Sequence, residues 1–206
     1  MLREQGFDRW AEDYDADAAK SDREGSYPFA GYQRVLDAIA HRVLARGTPT
    51  VLDLGFGTGT LTERLYQAGC LVFGQDFSPE MRAIAQQRMP KADLYLGDLT
   101  QGLALELAGR EYDCIVATYS LHHLTDGEKV RFLRALQARL RPGGEILIGD
   151  VAFDSRTELE ACRAAAGETW DDGESYPVAE ELRRELPGLR FQRMSPCAGV
   201  LLLKND

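Results

Sequence analysis

Three glycines at alternate positions, Gly55, Gly57 and Gly59, follow the apolar run Val51-Leu52-Asp53-Leu54, and an acid, Asp76, closes the next apolar run. Glycine has no Cβ, so such a turn can take positive φ and let a ligand lie directly on the backbone. An acid about 20 residues beyond the turn can accept both hydroxyls of a ribose. Together these features point to a nucleoside cofactor. A dinucleotide fingerprint would put its third glycine where this chain has Thr60, whereas here it stands at Gly59, which weakens a nicotinamide reading. His122 and His123, which follow a later apolar run, are the candidates for a general base, because imidazole titrates near neutrality. Their alternative is to orient a loop or touch substrate without taking a proton. With only His41 elsewhere, and no cysteine or carboxylate cluster at ligand spacing, no metal is expected.

The elements that must position these groups are legible as alternating patterns. Residues 50–54 predict a strand that empties into the glycine turn, and Thr60-Leu61-Thr62-Glu63 has capping-box spacing ahead of Leu61, Leu65 and Ala68 at helical intervals. Further strands are predicted over residues 70–75, 93–98, 112–120 and 144–150. They are near-continuous apolar runs, which fits parallel strands covered by helices on both faces. Ser78-Pro79-Glu80 opens a helix with the inner stripe Met81, Ile84 and Ala85. Thr125-Asp126-Gly127-Glu128 opens another, with the stripe Leu133, Leu136 and Leu140 and a stop at Pro142-Gly143-Gly144. Val35, Ile39 and Val43 mark a helix upstream; helical stretches near residues 157–166 and 178–186 precede closing strands near 189–194 and 199–204.

With these motifs in order, the sequence resembles the class I S-adenosylmethionine-dependent methyltransferases over nearly its whole length. Val51-Leu52-Asp53-Leu54-Gly55-Phe56-Gly57-Thr58-Gly59 is similar to the family's first motif, with Phe56 where a smaller residue is usual. Gly74-Gln75-Asp76-Phe77-Ser78-Pro79-Glu80-Met81 resembles its ribose segment, Leu96-Gly97-Asp98-Leu99 its adenine-edge segment, and Leu140-Arg141-Pro142-Gly143-Gly144 the turn before its fifth strand. More narrowly, Phe7-Asp8-Arg9-Trp10-Ala11 with Tyr14-Asp15, and Ser120-Leu121-His122-His123-Leu124-Thr125-Asp126, resemble the YrrT-like bacterial methyltransferases. The resemblance implies an α/β, Rossmann-like three-layer sandwich, with a seven-stranded, mostly parallel sheet ending in a C-terminal antiparallel hairpin. It implies S-adenosylmethionine as cofactor. The turn at Gly55, Phe56 and Gly57 would face its methionyl part, Asp76 the ribose, Phe77 and Met81 the adenine faces, Asp98 and Leu99 the adenine edge, and Thr118 and Tyr119 the sulfonium. Phe77 and Met81 could instead be core, and Asp98 could instead cap the following turn.

Residues 1–28 mix Phe7, Trp10 and Tyr14 with acids and are read as a lid over the cofactor, the alternative being an amphipathic helix packed elsewhere. The 206 residues, 44% hydrophobic and 28% charged, suit one soluble domain spanning 1–206. A formal charge of -9 disfavours nucleic acid, and the arginines at 131, 134, 139 and 141 read as a solvated face. A small-molecule methyl acceptor, no membrane span and a cytoplasmic setting are expected, with Cys70, Cys114, Cys162 and Cys197 as reduced thiols. Two other functions share this pattern: a non-catalytic S-adenosylmethionine sensor and an NAD-dependent oxidoreductase.

Overall fold

Strand residues alternate between two apolar cores. In β1 (Thr50–Leu54) and β4 (Tyr112–Thr118), Val51, Cys114 and Val116 pack on one face, while Leu52, Leu54, Ile115 and Ala117 pack on the other. A sheet apolar on both faces must be covered twice, which gives three layers. The computed structural model, which describes residues 14–205, joins these strands to β2 (Leu71–Asp76), β3 (Asp93–Leu96), β5 (Leu140–Val151), β6 (Arg190–Arg193) and β7 (Ala198–Lys204). The order is β3-β2-β1-β4-β5-β7-β6. The pairs among β1 to β5 are parallel, and β7 runs antiparallel to β5 and to β6, forming the expected terminal hairpin.

On one face, α1 (Tyr14–Glu24), α2 (Tyr32–Leu44), α3 (Thr60–Gln67), α4 (Pro79–Arg88) and α7 (Arg156–Ala166) supply buried side chains such as Ala18, Val35, Ile39, Leu65, Ala85 and Leu159. On the other, α5 (Leu105–Ala108), α6 (Asp126–Gln137) and α8 (Ala179–Leu182) supply Leu107, Leu133, Leu136 and Leu182. The chain turns back at β1, sending β2 and β3 one way and β4 and β5 the other. Open α/β sheets bind ligands at such a switch, beyond the carboxyl ends of the strands. No helix among the described residues is long and apolar enough to cross a membrane.

Several expectations need correction. Leu140 is not in a helical stripe. α6 ends at Gln137, and Leu140 opens β5 opposite Tyr112, because Tyr112 donates its backbone N–H to Arg139 O at 2.8 Å and draws the chain into the ladder. Pro142-Gly143-Gly144 therefore forms an irregularity inside β5 rather than a helix stop. The Thr60–Glu63 capping box is absent. Gly59, at φ 88°, is the N-cap of α3, which puts Thr60 inside the helix with its hydroxyl bonded to that of Thr58 at 3.1 Å. Cys162 and Cys197 are joined in a disulfide, with Cα atoms 5.8 Å apart, while Cys70 and Cys114 are free and buried. A sequence separation of 35 carries no local pairing signal; the packing of α7 against the start of β7 brings the two sulfurs together. Of the expected lid, Phe7, Trp10, Glu12 and Asp13 lie outside the described residues, as do the side chains of Tyr14, Asp15 and Asp17.

Candidate active site

The glycine turn is held from below by buried carboxylates. Asp76, at the end of β2, accepts Gly57 N–H on Oδ2 at 2.8 Å and Ser78 N–H on Oδ1 at 2.9 Å. Burial pushes its carboxyl up from the ordinary value, against the pull of those backbone donors. Asp53, fully buried in β1, accepts the Thr62 hydroxyl at 2.6 Å on Oδ2, while its Oδ1 has no partner. Burial, opposed by Thr62 and reinforced by the charge of Asp76, pushes the Asp53 carboxyl up to about 7. The folded protein thus favours protonated Asp53, and the associated stability is present below the ordinary value of 3.8 and lost as pH rises through about 7. Accordingly, Asp53→Asn is expected to gain stability relative to the parent as pH is raised from about 4 to about 8. Urea midpoints of both proteins across that range check this, and a constant difference would place the titration elsewhere.

Gly57 has φ 55°, and a Cβ there would meet nothing within 4 Å, because it would project into open space above the sheet. Gly55 is different. A Cβ there would lie 2.3 Å from Ser120 Cβ, so glycine lets the turn close against the segment after β4, where Ser120 also donates to Leu54 O at 2.8 Å. Above these turns opens a cleft at the carboxyl ends of the central strands, the place where open α/β sheets bind ligands. Gly55, Gly57, Asp76, Phe77, Met81, Asp98, Leu99, Thr118, Tyr119 and His123 all line it. Ser78, Ser120 and Leu124, which the motifs contain but to which they assign no ligand contact, line it as well, as does Thr100, which lies in no motif.

Individual side chains show how the folding places them. Ser78 caps α4 through the Met81 N–H at 3.2 Å, which turns Phe77 and Met81 toward the cleft. Asp98 accepts the Thr100 N–H at 2.8 Å and also lines the cleft, so it caps the following turn and faces the site at once. Tyr119 takes φ 50°, rare for a bulky residue, held by Tyr119 N–H on Gly149 O at 2.8 Å and by the rings of Phe29 and Tyr32 at 5.3 and 5.2 Å. Phe56 does not line the cleft. Its ring is buried against Gly74, where a Cβ would come within 2.7 Å of it.

The two histidines part company on a short 3-10 turn, Leu121–His123. His123 lines the cleft, its Nδ1 hydrogen-bonded to Glu174 Oε2 at 3.0 Å. His122 lies behind it, with Nδ1 at 2.7 Å from Oδ1 of the wholly buried Asp150. Burial alone would lower the His122 pKa, but the charge and hydrogen bond of Asp150 outweigh it and raise it. For Glu174, burial pushes upward, and the neighbouring imidazoles overcome it and hold the carboxyl below its usual range. The buried ammonium of Lys129 ties this region together, donating to Leu124 O and, at 2.6 Å, to Ser175 O. Neither Asp150 nor Glu174 stands out in the sequence as a partner. Asp150 does end a predicted strand, as Asp76 and Asp98 do, and Glu174 lies in a loop with no local signal.

A methyltransferase domain family matches residues 51–144. An uncharacterized methyltransferase of Anoxybacillus flavithermus is 34% identical over 179 residues, spanning 87% of this chain and 79% of its own. One from Geobacillus kaustophilus is 36% identical over 180 residues, with the same coverage of 87% and 79%. Among solved structures, the magnesium protoporphyrin IX methyltransferase ChlM from Synechocystis with bound SAH superposes with a TM-score of 0.66 at 22% identity, covering 86% of this chain and 85% of that one. A DhpI-SAM-HEP complex superposes with a TM-score of 0.68 at 22% identity, covering 95% and 92%.

Proposed function

The chain belongs to the class I S-adenosylmethionine-dependent methyltransferases, and from that membership we propose that its cleft binds S-adenosylmethionine and presents the methyl group to a small-molecule acceptor. The observation that carries this reading is the pairing of the glycine turn with carboxylates beneath it. Gly57 N–H is spent on the buried carboxylate of Asp76, so it is not free to bind a pyrophosphate. This disfavours the NAD-dependent alternative. The donor supplies an electrophilic methyl on a sulfonium, so the protein's task is alignment, exclusion of water and, for a protic acceptor, removal of a proton.

The residues fit those tasks. Open space over Gly57 leaves room for the methionyl part, Asp76 stands where ribose hydroxyls would be accepted, and Phe77 and Met81 offer apolar surface for adenine beside Asp98 and Leu99. Thr118 and Tyr119 close the end of β4 beneath the sulfonium, the rings of Phe29 and Tyr32 stiffening Tyr119. His123 is the group at the cleft that would take the acceptor's proton, with Glu174 orienting its ring, while His122 and Asp150 hold the turn that carries it. These histidines on the acceptor side favour an enzyme over a sensor. A small acceptor is supported by the charge of -9 and by the pairing of Arg134 with Glu185 and Arg141 with Asp113, which occupies two members of the arginine cluster.

Asp76→Ala is expected to weaken S-adenosylmethionine binding by about tenfold to a hundredfold, since hydrogen bonds to a charged group contribute roughly 1.5 to 3 kcal/mol. Isothermal titration calorimetry measures it, with NAD as the comparison ligand. Unchanged affinity in the variant, or tighter binding of NAD than of S-adenosylmethionine by the parent, would overturn the reading.

A further inference from the structure

Among the described residues, one group of three metal-ligating side chains comes together: His122, His123 and Glu174 each offer a ligand atom, and those atoms lie within 4.8 Å of one another. We propose that these three residues bind a divalent transition-metal cation at the acceptor end of the cleft. Two histidines adjacent in the chain cannot reveal such a site, because its third member is 51 residues away from His123. Two imidazoles and a carboxylate form a borderline donor set, suited to Zn²⁺, Fe²⁺ or Mn²⁺ rather than Ca²⁺, and three protein ligands leave coordination positions open.

The surroundings are built as metal sites require. Asp150 Oδ1 is fixed by the Val151 N–H at 2.8 Å and holds His122 Nδ1 at 2.7 Å. A buried carboxylate in that position takes the imidazole N–H and leaves the Nε2 lone pair for a cation, which is the carboxylate–histidine–metal arrangement. Asp150 Oδ2 is buried with no hydrogen-bond partner, and the Lys129 ammonium reaches it only through its charge. The loop bearing Glu174 is pinned to the histidine turn twice. Ser175 N–H donates to His122 O at 2.9 Å, and Lys129 bridges Leu124 O and Ser175 O. The ligands are thus held in place by packing rather than gathered by the ion.

This deepens the acceptor side of the proposed function, and rests on that reading for its catalytic consequence alone. Because His123 lines the cleft, an acceptor hydroxyl or thiol could enter an open coordination position beside the methyl group. Its O–H or S–H bond would then break at lower pH, the proton passing to water and the electron pair staying on the acceptor atom. In the loaded protein His123 is a ligand; in the cation-free protein it has the role of base proposed above.

The test is titration of the chelator-stripped, full-length protein with Co²⁺, followed by its visible absorption, and with Zn²⁺ by equilibrium dialysis. The expected result is one cation per chain, with an absorption spectrum free of thiolate charge transfer. His123→Ala and Glu174→Gln should each weaken binding by at least about tenfold, and Asp150→Asn by about 10- to 100-fold, while His41→Ala binds as the parent does. S-adenosylmethionine affinity, measured in parallel, reports whether the cleft is intact and whether the proposed function holds by itself. Absence of a cation signal in the parent, or binding that survives in both His123→Ala and Glu174→Gln, overturns the site.

Discussion

Gly57→Val is expected to remove S-adenosylmethionine binding while leaving a folded protein. The position is at φ 55°, and a Cβ there would have no protein atom within 4 Å, so the branched side chain would meet the ligand and not the protein. The left-handed conformation costs a non-glycine residue about 1–2 kcal/mol, which for a chain of this size lowers Tm by roughly 2–8 °C. The ligand loses far more. Filling the floor of the cleft should reduce affinity by at least about a hundredfold, equivalent to roughly 2.7 kcal/mol, with Gly57→Ala falling between variant and parent. Calorimetric titration together with circular dichroism separates the two effects. Parent-like affinity in a folded Gly57→Val protein would move the cofactor away from this turn. The contrast with Gly55 is informative, because there the added Cβ would strike Ser120 and disturb the fold itself.

The second large effect is on turnover. With chelator present and an acceptor in hand, His123→Ala should lower kcat by roughly 10² to 10⁴ and change S-adenosylmethionine affinity little, since loss of a general base acts on the chemical step. Glu174→Gln should have a smaller effect in the same direction, because it removes the group that orients the ring and spares the ring itself. His122→Gln tests the other half of the pair. It lies behind the cleft on Asp150, so its loss should appear as weaker positioning, in stability and in kcat together. Full turnover in His123→Ala would leave alignment as the main source of catalysis.

The periodicity and turn chemistry of the chain by themselves determined the α/β layout, the strands, the terminal hairpin and the glycine turn followed by Asp76. Those features are local: an apolar run, an alternation or a capping residue acts within a few positions. The same locality explains where expectation and structure diverged. Thr60-Leu61-Thr62-Glu63 has the right spacing for a capping box, yet the turn delivers Gly59 as the N-cap, and Leu140 continues a helical stripe in spacing while pairing as a strand. Tertiary structure alone decided that Phe56 fills the core over Gly74, that adjacent His122 and His123 have different surroundings, and that Asp150, Glu174 and the Cys162–Cys197 bond complete the region. Neighbours on a tight turn leave the backbone in different directions, and the partners they meet come from loops tens of residues away. Only the packing of the layers sets those distances.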